Sequence, residues 1–134
     1  MILKNLNKVF FFNLLILLSI FLIDRLSKIY VIYLDEKLIG SEILSTKFLN
    51  INLIWNEGIA FGLFSFTEKT FYNFLTIIIL IIILVIFFMI FKSKGLKKYS
   101  LLMILGGALG NVYDRIATKA VPDFIDLHVG NFHW

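Results

Sequence analysis

The stretch 71–91, FYNFLTIIILIIILVIFFMIF, constrains this chain more than any other. Apart from Tyr72, Asn73 and Thr76 it carries only apolar side chains, and as a helix it is long enough to cross a hydrocarbon layer of about 30 Å. Such a surface offers no chemistry and is expected to face lipid. With 60% hydrophobic and 16% charged residues, the 134-residue chain is far too apolar for an ordinary soluble domain. It reads as one integral-membrane domain.

Two further segments fit the same reading. Lys4 and Lys8 precede an apolar run at 9–23, as in a secretory signal peptide, but no small-residue cleavage site follows. The next residues, DRLSKIYVIYL, continue the helical pattern, so a retained helix is expected at about 9–33. A third helix is expected at 99–116, where Gly106, Gly107, Ala108 and Gly110 make a small-residue face suited to close helix contact in lipid. The fold class is thus an all-α membrane bundle of three helices.

The formal charge of +4 is a topology signal. Lys4 and Lys8 stand before the first apolar run, and Lys92, Lys94, Lys97 and Lys98 lie between the second and third, with no acid among them. By the positive-inside rule both places are expected to be cytoplasmic, and a nucleic-acid surface is not indicated. Cysteine is absent, which rules out disulfides and thiolate metal sites in these residues.

Between the first two helices the period changes. Leu49, Ile51, Leu53 and Trp55 alternate with Asn50, Asn52 and Asn56, with Ile54 as the one break, so a strand is expected within a small β-cradle at about 35–66. The strand leads into Gly58 and Gly62, which imply a turn or a close backbone approach. This is either a simple loop or a cradle in which Asn56 helps to hold an extended peptide.

The polar residues gather at 106–128. Asn111, Asp114 and Arg115 end the third helix; Ala120, Val121 and Pro122 should bring the chain off it; Asp123 and Asp126 follow. Ionisable groups at a bilayer rim are functional candidates by default. Arg115 is expected to keep Asp114 ionised, which suits a positioning role. Asp123, beside Phe124 and Ile125, is expected to have its pKa raised by apolar burial toward the range useful in acid and base work. On the first helix Asp24, Ser27 and Lys28 share a face, and Asp24 with Lys28 reads as a structural polar pair. Ser27 and Lys28 make a poor nucleophilic dyad, since neighbours on a helix point about 100° apart. His128 and His133 with Asp123 and Asp126 fit no defensible metal pattern. Two carboxylates sharing a proton remain as the protease chemistry.

DRLSK at 24–28, NEGIAFG at 56–62, GGALGNVYDR at 106–115 and VPDFIDLHVGNFHW at 121–134 resemble, in order and spacing, the successive motifs of the lipoprotein signal peptidases, signal peptidase II. The resemblance covers essentially the whole chain. It implies an aspartic endopeptidase of the bacterial cytoplasmic membrane, with four transmembrane helices and an extracytoplasmic β-cradle, that cuts prolipoproteins before their diacylglyceryl-modified cysteine. Asp123 then matches the first catalytic aspartate, and Asn111, Asp114 and Arg115 match polar residues lining the site. Asn56 matches the cradle asparagine, and Asp24 and Lys28 the polar pair on the first helix. No cofactor or metal is implied; the partners are prolipoproteins and membrane lipid, and the protein is expected to be a monomer.

In that family a Phe-Asn-x-Ala-Asp motif follows, carrying the second catalytic aspartate and opening the fourth helix. It is not among these residues, so the 134-residue chain by itself is expected to be inactive. The rival readings are a non-catalytic membrane protein that binds lipid or peptide, and a metal-dependent membrane hydrolase that uses His128.

Overall fold

The computed structural model describes residues 2–38, 42–57, 68–130 and 132–133. The glycine turn expected at Gly58 and Gly62 lies outside them. Three helices account for most of the chain: α1 (Ile2–Lys37), α2 (Glu68–Lys92) and α3 (Gly95–Thr118). Each contains its expected segment and runs past it. Two of them, α1 and α2, are long and apolar enough to cross a membrane by length and composition.

The helices pack where their sequences differ. The face of α3 that meets the others is compact, with Leu101, Leu102 and Leu105 buried together with Ile90 of α2; Ile16 and Leu17 of α1, and Ile83 and Ile86 of α2, lie against this cluster. Phe10, Leu15 and Ile23 on α1, and Ile77, Ile81 and Phe88 on α2, are exposed, as expected of surface meeting acyl chains. Lipid is as apolar as leucine, so the contacts between helices rest on close packing and polar bonds. Helices α2 and α3 are joined by Ser93 and Lys94, with Gly95 at a φ of +58°, a conformation that glycine adopts without strain.

The chain leaves α3 at Lys119, which takes the left-handed conformation (φ 64°). The Thr118 hydroxyl lies 2.9 Å from the Asp114 carbonyl and 2.8 Å from that of Ala120, and shares its one proton between them across this exit. Beyond it the structure departs from expectation. Residues 121–129 form a strand, and the small sheet is antiparallel with order β1 (Leu44–Ser45), β2 (Leu49–Asn56), β3 (Val121–Val129), β4 (Phe132–His133). The sheet is therefore not confined to 35–66: α1 runs to Lys37, and half of the strands come from the carboxy-terminal segment. Asp123 and Asp126 are three positions apart along this strand, and both line the same groove.

The strand β2 is where it was expected, and the break at Ile54 has a cause. Ile51 stands opposite Ile125, but Ile54 stands opposite Asp123, so three steps on β2 match two on β3. The extra residue is a bulge, which bends the strand and re-aims its side chains.

The two ends of α3 fix the polarity of the molecule. Near its start the Tyr99 ring stands edge-on to Phe12 of α1, 6.0 Å between centroids, and near its end Asp114 meets Lys28 of α1. At 1.5 Å per residue these contacts are about 22 Å apart along the helix. Lys92, Lys94, Lys97 and Lys98 lie at the Tyr99 end, and the sheet with Asp123 at the other.

Candidate active site

Two glycines let α1 and α3 approach. A Cβ at Gly106 would come within 2.9 Å of Ile20, and one at Gly110 would overlap the Asp24 carboxylate. The charged residues that follow are thereby brought into contact. Asp114 is 2% exposed; its Oδ2 accepts a hydrogen bond from Lys28 Nζ at 2.8 Å, and its Oδ1 one from Arg25 Nη1. Lys28 Nζ also donates to Asn111 Oδ1 at 2.7 Å and pairs with Asp24 Oδ1 at 3.0 Å. An ammonium has three donors and no acceptor, and here each meets an oxygen. Two cations and two carboxylates balance, which is the condition for burying charge at tolerable cost.

One expectation is corrected here. The cations beside Asp114 are Lys28 and Arg25, both on α1; the adjacent Arg115 instead donates from Nη1 to the Asn111 carbonyl at 3.3 Å. Arg25 also lies over the Tyr113 ring, 4.7 Å from its centroid. The residue pattern had not singled it out, although its place next to Asp24 was visible.

The sheet contributes the remaining groups. Asn56, at the end of β2, donates from Nδ2 to Asp123 Oδ2 on β3 at 2.8 Å. Asp123 is exposed, so the apolar burial expected around it is not found among the described residues. Its environment is a groove of about 920 Å³ whose walls include Asp24, Lys28, Asn56, Asn111 and Asp123. Asp114 and Arg115 are not on these walls; Asp114 lies behind Lys28. Asp126 also lines this groove; it accepts from Asn50 Nδ2 at 3.3 Å and stands 3.7 Å from His128 Nδ1. Among the described residues no three His, Asp or Glu side chains cluster as metal ligands would.

An exposed carboxylate in a peptide-sized groove, mounted on helices whose outer surfaces suit lipid, is the arrangement of a membrane protease. The family model described as signal peptidase (SPase) II matches residues 16–134. The lipoprotein signal peptidase of Pelagibacter ubique (strain HTCC1062) is 50% identical over 127 residues, covering 95% of this chain and 76% of that protein. The one from Aquifex aeolicus (strain VF5) is 37% identical over 131 residues, 96% of this chain and 76% of the relative. A solved structure of a bacterial membrane enzyme superposes with a TM-score of 0.59 at 30% identity, over 90% of this chain and 73% of the other. The chain belongs to the signal peptidase II family, the lipoprotein signal peptidases, and is a membrane protease.

Proposed function

We propose that Asp123 is one carboxylate of the aspartate dyad that hydrolyses the peptide bond before the diacylglyceryl cysteine of a prolipoprotein. The observation that carries this reading is the 2.8 Å hydrogen bond from Asn56 to Asp123 Oδ2 at the wall of the groove. It fixes one oxygen and leaves Oδ1 for water. In the dyad scheme one carboxylate takes a proton from water as its oxygen attacks the scissile carbonyl carbon. The other, protonated, supplies a proton to the carbonyl oxygen and then the leaving nitrogen.

The second carboxylate comes from the Phe-Asn-x-Ala-Asp motif that the family carries after the position of Trp134, on a fourth helix. Asp126 also lines the groove, but it is engaged by Asn50 and does not match the position of the family's second aspartate. Asn111 presents its amide to the groove, held through Oδ1 by Lys28, while Arg115 secures the same residue through its carbonyl. Asp24, Lys28 and Asp114 form the rigid support.

The three helices each span the bacterial cytoplasmic membrane, with the amino terminus and the lysines of 92–98 in the cytoplasm and the groove at the outer face. The sheet cradles the extended signal peptide, whose lipid chains stay in the bilayer, and the enzyme works as a monomer. The test is cleavage of a diacylglyceryl prolipoprotein by a chain completed with the missing motif. Asp123→Asn is expected to abolish it, and undiminished cleavage would refute the assignment.

A further inference from the structure

Three asparagines punctuate β2, and two of them are paired across the sheet: Asn50 with Asp126 (3.3 Å) and Asn56 with Asp123 (2.8 Å). Asn52 is not. Its Oδ1 is buried and has no hydrogen-bond partner among the described residues, although Asn52 lies on the wall of the same groove as Asp123. The reason is the bulge. Register slips between Ile51, opposite Ile125, and Ile54, opposite Asp123, so the β3 residue facing this part of β2 is Phe124, whose ring offers no acceptor or donor to an amide. A buried carbonyl oxygen without a donor is costly, and a valine or leucine of similar bulk would avoid the cost. Bulges are common beside active sites, where they turn a side chain toward a ligand.

We propose that Asn52 is a substrate-positioning residue, whose side-chain oxygen accepts a hydrogen bond from a backbone N–H of the extended peptide in the groove. This rests on the reading of the groove as the site of cleavage. Ile51 to Ile54 spans the two β3 steps from Ile125 to Asp123, about 7 Å at 3.4 Å per step, so Asn52 lies within about 7 Å along the strand of the residue that partners Asp123. A peptide with its scissile carbonyl at Asp123 therefore brings a residue within about two positions of the cleavage site beside Asn52. The bond does not touch the reacting atoms and is made equally in the bound substrate and at the transition state. It contributes to binding and leaves the chemical step alone.

The test is a binding measurement on the 134-residue chain in detergent, with a synthetic peptide carrying a diacylglyceryl cysteine and the apolar residues that precede it. Each amide near the cleavage site is replaced in turn by an ester, which deletes one N–H. With the unaltered chain, one ester position is expected to weaken binding about tenfold, or about 1.4 kcal/mol. With Asn52→Ala the amide peptide loses the same factor, and that ester adds nothing further. Asn52→Asp, which keeps an oxygen at the same place, retains the penalty and guards against a misfolded alanine variant. Equal binding by Asn52→Ala, or an ester penalty that persists in it, overturns this assignment and leaves the Asp123 reading standing. A chain that binds no lipopeptide at all overturns both.

Discussion

Lys28 and Asp114 are 86 positions apart in the chain and 2.8 Å apart in the fold. Their contact joins α1 to α3 directly behind the groove, with Lys28 on its wall and Asp114 enclosed. The sheet that carries Asp123 continues from the end of α3. Placement of the reacting carboxylate therefore depends on how these two helices are locked together.

The lock predicts a large and non-additive stability effect. Lys28→Met leaves Asp114 with Arg25 alone and strips a donor from Asn111 and Asp24; a buried charge that loses its partner costs about 3–5 kcal/mol. Asp114→Leu is expected to be comparably harmful. The double variant loses less than the sum of the two, because it removes both charges together. Unfolding in mixed detergent and denaturant measures each value.

The glycines predict a contrast within a single turn of α3. Gly110→Ala drives a methyl into the Asp24 carboxylate and Gly106→Ala drives one against Ile20, whereas a Cβ at Gly107 meets nothing within 4 Å. The first two should lose about 1–3 kcal/mol, while Gly107→Ala should hold its stability or gain up to about 1 kcal/mol from helix propensity. Thermal unfolding of the three variants in one detergent decides it.

Removing the amide that holds Asp123 should slow catalysis without disturbing the fold. The hydrogen bond from Asn56 lies at the protein surface, so Asn56→Ala is expected to cost on the order of 1 kcal/mol, about a fivefold loss of kcat. Steady-state cleavage by a chain completed with the missing motif, alongside its unfolding curve, separates the two effects.

The metal-hydrolase rival makes an opposite forecast. In the aspartate account a strong chelator leaves cleavage unchanged, and so does His128→Ala, since His128 stands beside Asp126, five positions along β3 from Asp123. Loss of activity with chelator, restored by added metal, would favour the rival.

Much of this architecture was legible in the residues. The three helices follow from runs of apolar side chains, β2 from its alternation, and the close α1–α3 contact from Gly106 and Gly110. What was hidden depends on partners distant in the chain. Sequence adjacency suggested Arg115 for Asp114, but neighbours on a helix point about 100° apart, and the cations that meet Asp114 come from the facing helix. The strand β3 was masked because its alternation of Ile125, Leu127 and Val129 with Asp126 and His128 begins only after Pro122. It is stabilised by pairing with β2, a contact that local pattern does not reveal. The same pairing exposes Asp123, where its apolar neighbours had suggested burial.

The most direct measurement compares Asp123→Asn with the unaltered residue in a chain completed with the Phe-Asn-x-Ala-Asp motif, embedded in membranes and given a labelled diacylglyceryl prolipoprotein. The account predicts that kcat falls by a factor of about 10³ or more while lipopeptide binding is kept. Cleavage within about tenfold of the unaltered enzyme would contradict it, and the groove beside Asn56 would then not be where the bond is broken.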